Sequence, residues 1–224
     1  MLAVNPCPTG FSVPGGACLV GDPVCFASVW LGPWLSGKLI LSSEPGREVA
    51  MENRVLVAYA TKHGSTAEIA GRIGEMLQRE GLAVDVQLAS QVRDLSPYGA
   101  VVLGSAVYIG RWRKEAVRFL KGSEGQLAER TVWIFSSGPT GEGDPAALTQ
   151  GWRAPKSLQP VIDRVHPRDV AVFHGKVDVK TLSFFERWMV RNVRAPIGDF
   201  RDWAAISTWA RAIAGALKAQ DTPE

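Results

Sequence analysis

From Met51 to the end of the 224-residue chain there is not one cysteine; Cys7, Cys18 and Cys25 all fall in the first fifty residues. That stretch therefore holds no disulfide, no thiolate cluster and no thiol nucleophile, and the spacing of the three upstream cysteines fits no zinc or iron–sulfur pattern. Any redox chemistry after Met51 must rest on an organic cofactor. Histidine is scarce as well: His63, His166 and His174 have neither i, i+4 spacing nor cysteine company, so no metal site is expected. No Ser/His/Asp set and no carboxylate pair stands out, and no catalytic side chain is assigned. The apolar run around Phe26–Leu35 is broken by Gly32 and Pro33 and is too short to span a bilayer. The lack of disulfides agrees with a cytoplasmic location.

Residues 1–50 differ from the rest in being rich in Gly and Pro, without sustained periodicity, and they lack the basic start and cleavage site of a signal peptide. Arg47-Glu48-Val49 can be encoded by a purine-rich ribosome-binding sequence just ahead of a start codon at Met51. Two readings follow: residues 1–50 are a poorly ordered extension, or they are upstream sequence read from a misplaced start. The domain is expected to run over 51–220. From residue 51 onward, 23 basic side chains stand against 19 acidic ones, a net charge of +4. A basic surface points to an anionic partner, either a carboxylate-bearing substrate or a phospholipid surface; nucleic acid is not among the expected partners.

Along the domain, β-prone runs alternate with helical patterns. Strands are predicted at about 54–60, 83–89, 100–106, 131–137 and 169–175. The run at 100–106 is apolar throughout, as expected of a strand covered on both faces. Helices are predicted at about 66–80, 111–121, 155–165 and 201–218, with Ser65 or Thr66 capping the first and Gly81 ending it. Residues 94–99 are a short connection in a place where a full helix is common. Five strands separated by helices call for a doubly wound α/β fold, a parallel sheet with right-handed crossovers.

The first strand leads into Thr61, Lys62, His63, Gly64, Ser65 and Thr66 and then directly into an amphipathic helix. There is no G-x-x-x-x-G-K-[ST], and no G-x-G-x-x-G follows the strand, so neither a P-loop nor a dinucleotide fingerprint is present. Three hydroxyls, a glycine and the backbone N–H groups of a helix N-terminus suit a phosphate monoester held by side chains as well as backbone. The bland alternative is an ordinary strand-to-helix turn. His63 either helps neutralise a phosphate or is a solvated loop histidine; His174, in a predicted strand, reads as a core residue.

On these residues the chain resembles the flavodoxin family. Tyr59, Thr61, Gly64, Thr66, Ala70 and Ile73 follow the family's signature in order, while Ala58 departs from its preference for a larger apolar residue. The resemblance implies a flavodoxin-like five-stranded parallel sheet of order 2-1-3-4-5, and FMN as cofactor at the point where strand order reverses, as in flavodoxin itself. The flavin ring would then lie against the loops after the third and fourth strands. The first of these offers Ser105, Ala106, Val107, Tyr108 and Gly110, with Tyr108 as a stacking face and Trp112 either touching the ring or packing under the next helix. The second offers Ser136, Ser137 and Gly138 in a glycine-rich loop.

Residues 152–201 carry ten basic side chains against five acidic ones. Within them Phe184, Phe185, Trp188 and Met189 sit at helical spacing beside Arg187, Arg191 and Arg194. Such a helix either covers the sheet edge or lies on an anionic membrane through about 180–194. The order Val172-Phe-His-Gly-Lys176, Ser183–Val190, Asp202-Trp203 is similar to that of the flavodoxin-type, menaquinone-dependent protoporphyrinogen dehydrogenases. That resemblance implies a dehydrogenase or oxidase in heme biosynthesis, with a porphyrinogen substrate and a quinone or another redox acceptor as partners. It also implies a place in the cytoplasm, peripheral on the inner face of the cell membrane. The alternatives on the same fold are an electron carrier and an NAD(P)H or quinone reductase.

Overall fold

The computed structural model describes residues 54–178, 183, 184, 187, 188, 192 and 196–220. The readings of residues 1–50, and most of the 180–194 segment, lie outside the described residues. Five strands, β1 (Arg54–Ala60), β2 (Ala83–Leu88), β3 (Ala100–Tyr108), β5 (Thr131–Ser137) and β6 (Asp169–Phe173), form a parallel sheet in the order β2-β1-β3-β5-β6. Numbered among themselves, the parallel strands run 2-1-3-4-5, the order expected. A sixth strand, β4 (Arg111–Trp112), pairs antiparallel with the end of β3. A separate two-stranded ribbon joins β7 (Lys176–Val177) to β8 (Gly198–Asp199).

Alternation along the strands builds two cores, one on each face of the sheet. Leu56, Val101, Leu103 and Ile134 point to one face, under α2 (Lys114–Gly122), α3 (Glu124–Ala128) and α5 (Gln159–Val165). Val55, Val57, Val102 and Phe135 point to the other, under α1 (Ser65–Arg79) and α6 (Trp203–Gln220). Helix α1 supplies Ile69, Ile73 and Leu77, all fully buried. It ends in a Schellman turn: Leu82 N–H donates to Leu77 O at 3.2 Å and Gly81 N–H to Gln78 O at 2.9 Å, with Gly81 at φ 88°. On the second face Phe135, Phe173 and Trp209 meet with ring centroids 5.4–6.1 Å apart, and Trp209 Nε1–H donates to Asp169 at 2.7 Å. This triad fixes α6 over the β5–β6 edge.

Several predicted boundaries move, for local reasons. The helix predicted from Arg111 starts at Lys114 because Ile109 and Gly110 take positive φ (49° and 67°) and turn the chain into a tight hairpin, leaving Arg111–Trp112 extended. The helix predicted over 155–165 opens as one 3₁₀ turn, Lys156–Leu158. The strand predicted to 175 leaves the sheet after Phe173. Helix α3, the short helix α4 (Pro145–Leu148, capped by Asp144) and the β7–β8 ribbon were not expected. The connection over 94–99 is held without a helix: Leu95 and Tyr98 are buried, and Tyr98 O–H donates to Asp85 at 2.7 Å while Asp85 pairs with Arg54 at 2.9 Å.

Gly104 carries the tightest packing in the sheet. A Cβ there would lie 2.0 Å from Phe135 Cζ, and Phe135 is fully buried and cannot swing away. Gly104→Ala is therefore expected to lower unfolding free energy by about 3 kcal/mol, the upper end of an overpacking penalty. Adding Phe135→Leu should recover part of that loss in urea unfolding. Strictly additive losses would contradict the packing of Phe135 across Gly104.

Candidate cofactor site

Register brings the predicted residues to one edge. Ala60 at the end of β1 lies beside Ser105 of β3, which lies beside Ser136 of β5, so the three following loops leave the sheet side by side. In the first loop, Thr61 Oγ1 accepts from Gly64 N–H at 3.1 Å. Gly64 sits at the helix cap with φ 87° and ψ −21°, a left-handed conformation that a side chain would strain. The cap expected from Ser65 or Thr66 is thus a correction: Gly64 occupies the cap position without a side-chain bond, and Ser65 and Thr66 are already helical. Thr66 is 1% exposed. The hydroxyl of Ser65 is buried and has no hydrogen-bond partner among the described residues. A buried hydroxyl at a helix N-terminus, where the first-turn N–H groups also lack intrahelical acceptors, has the chemistry that suits an anion.

The first and second loops converge on Tyr108. Lys62 Nζ lies 5.8 Å from the centre of its ring, and the His63 ring meets it edge-on at 6.2 Å. Tyr108 itself is 38% exposed, so its aromatic face lies against the Thr61–Thr66 loop and is partly open. Next to it, Ile109 is exposed with φ 49°, a costly conformation for a β-branched residue, on the exposed turn with Gly110. The second and third loops touch as well: a Cβ on Gly138 would lie 2.8 Å from Val107 Cβ, so only glycine lets them close up.

The remaining predicted residues fall into a different role. Ser105 Oγ accepts from Arg113 N–H at 3.0 Å and donates to Ala106 O at 3.0 Å. Ser136 Oγ accepts from Trp112 Nε1–H at 2.9 Å and donates to Arg153 O at 2.7 Å. Ser105, Ala106, Ser136 and Ser137 are buried, and the first two serine hydroxyls are engaged within the protein. Trp112 is 6% exposed and packs in the core beneath α2. His174 is buried, with Nδ1 3.2 Å from Pro139 O and Nε2 2.8 Å from Gly143 O, so it ties the glycine-rich loop to the end of β6.

Sequence reasoning missed Arg201 as part of the site, having counted it only among ten basic residues. Its side chain is 2% exposed and reaches Asp199 at 2.6 Å, Glu68 at 2.9 Å and Ser65 O at 3.4 Å, with Trp203 beneath it at 4.5 Å. It clamps β8 onto the first turn of α1. The findable signal was the alternation Asp199, Arg201, Trp203 along an extended run. The guanidinium holds Asp199 below the usual carboxylate range, and Asp199, followed by Glu68, holds Arg201 above its own.

A doubly wound sheet with hydroxyls and a helix N-terminus after its first strand, and two further loops beside it, defines a class of phosphate-ester-binding α/β proteins. Residues 56–202 match the model of the flavodoxin domain, and the chain belongs to that family. Family membership implies FMN as the cofactor. Among solved structures it is similar to rubredoxin oxygen:oxidoreductase from Desulfovibrio gigas (18% identity, TM-score 0.52, 76% of this chain and 37% of that one). It is also similar to the Flv1 flavodiiron core from Synechocystis (14%, TM-score 0.52, 77% and 38%). A third is flavodoxin 2 from Bacillus cereus (24%, TM-score 0.48, 74% and 99%). The chain spans under two-fifths of the length of the first two, and at these identities the likeness is one of fold. No curated protein matches the chain.

The Arg201–Asp199 pair has a testable sign. Because Asp199 has a lowered folded-state pKa, its contribution is fully present above the ordinary value of 3.8 and is lost as pH falls through the lowered one. Asp199→Asn should therefore be less stable than the parent at neutral pH, and the difference should shrink on acidification below 3.8. Thermal unfolding across that range checks it; a difference independent of pH would contradict the pair's role.

Proposed function

We propose that this chain is an FMN-dependent oxidoreductase whose substrate is an anionic organic molecule, and that by its resemblance protoporphyrinogen IX fills that role, with a quinone as electron acceptor. The observation that carries the flavin part is the buried, unpartnered Ser65 hydroxyl at the start of α1 beside the bond between Thr61 and Gly64. Thr61, Ser65, Thr66 and the first-turn amides would hold the phosphate, with Lys62 and His63 adding positive charge. Tyr108 would offer its face to the ring, and the backbone of 105–108 and 136–138 would border the ring edge. FMN supplies the electron-accepting chemistry when bound. The protein's own residues would position it, with the Gly138 loop packed against Val107.

The substrate part rests on charge and on the order of motifs. A net charge of +4 from residue 51 onward is poorly suited to docking on basic redox partners and well suited to a substrate bearing carboxylates. Phe184 and Trp188, 89% and 56% exposed, support a peripheral membrane position for delivery of electrons to a lipid-soluble quinone. No described helix is long and apolar enough to cross a membrane.

Two measurements check this reading. Thr61→Ala combined with Thr66→Ala should weaken FMN binding by about 2–4 kcal/mol, two charge-assisted bonds short of full additivity; unchanged affinity would place the phosphate elsewhere. Anaerobic turnover of protoporphyrinogen IX with menadione should be catalysed by the flavin-loaded protein. Reduction of the flavin by a redox protein without any such turnover would instead favour an electron carrier.

A further inference from the structure

Beside the β3–β4 hairpin lies a groove of about 560 Å³ that the cofactor loops do not account for. Its floor is formed by Trp112, Pro155 and Leu158, all buried, and its rim carries Arg111, Lys114 and Arg118, all exposed. The one polar atom of the Trp112 indole is engaged by Ser136, so the groove meets only its carbon surface.

The groove's lining gathers three positive charges and no acidic residue. Among the described residues, none of the three makes an ion pair or a side-chain hydrogen bond. Arg72 and Arg79, by contrast, pair with Glu75, and Arg164 pairs with Glu124. Lys114 and Arg118 stand four residues apart on one helix, a repulsive spacing for like charges. Lys114 is also the first residue of α2, where the helix dipole disfavours a cation. Three uncompensated cations above an apolar floor are complementary to a ligand that brings its own negative charges.

We propose that this groove binds a small organic dianion: a flat, apolar body resting on Trp112 and Leu158, with two oxyanion groups reaching Arg111, Lys114 and Arg118. Tyr108 and Arg111 are register partners across the hairpin, so the groove begins one residue pair from the aromatic face that Lys62 and His63 hold. The groove is thus the substrate site of the proposed oxidoreductase. Its use in redox chemistry rests on that reading, whereas binding of the dianion does not.

The test uses the full chain with and without FMN, and bis-ANS as a fluorescent, aromatic disulfonate. N-phenyl-1-naphthylamine, aromatic and uncharged, is the control. Lys114→Gln with Arg118→Gln should weaken bis-ANS binding by about tenfold, and change binding of the neutral probe by less than about twofold, the small share expected from lost side-chain stems. Ser157→Glu, which adds a negative charge at the exposed rim, should weaken the disulfonate alone. FMN affinity should be the same in all variants. Disulfonate binding that is unchanged in the double variant, or that falls equally with the neutral probe, overturns the proposal. Charge-dependent binding in a protein that takes up no flavin would leave the groove standing and remove the redox reading, so the two fail separately.

Discussion

The amino end of helix α1, with first-turn N–H groups that no backbone carbonyl can satisfy, is the constraint around which this molecule is arranged. The parallel register of β1, β3 and β5 places that end beside two other loops. Gly64 turns the chain sharply enough for the helix to begin immediately, and Thr61 fixes the turn. The buried Ser65 hydroxyl has no partner among the described residues, and such groups in folded proteins are mostly paired with protein, water or ligand.

Distant residues hold this arrangement. Arg201 reaches across 133 residues of sequence to Glu68 and bonds the Ser65 carbonyl, so the segment before α6 is anchored on the loop that α1 follows. A buried guanidinium is costly without partners, and two carboxylates supply them. The effect is geometric: the first turn of α1 is tied to the β8 segment through Arg201. Gly104 and Gly138 serve the same end by removing a side chain where Phe135 and Val107 must lie.

Much of this was legible in the sequence. Apolar runs at 54–60 and 100–106, and the Ile69, Ile73, Leu77 stripe, are clear local patterns; the parallel sheet followed from the alternation of strands and helices, and its order from the resemblance to flavodoxins. The position of the Thr61–Thr66 loop between β1 and α1 was legible because a β-prone run there gives way directly to an amphipathic pattern. What escaped depends on long-range contacts or on costly backbone. The hairpin at Ile109–Gly110 was hidden because isoleucine is a poor indicator of positive φ. The internal engagement of Ser105 and Ser136 could not be read, because a serine at a strand end looks the same whether it faces a ligand or Trp112. Arg201 needed Glu68, and that pairing is visible only in three dimensions.

The central claim is that the phosphate, and not the ring alone, is what the loop between β1 and α1 recognises. Titration of flavin-free protein with FMN and with riboflavin, at the same ionic strength, tests this most directly. Binding of FMN at least about 100-fold tighter than riboflavin, or about 2.7 kcal/mol, is predicted. Equal affinities for the two would contradict it.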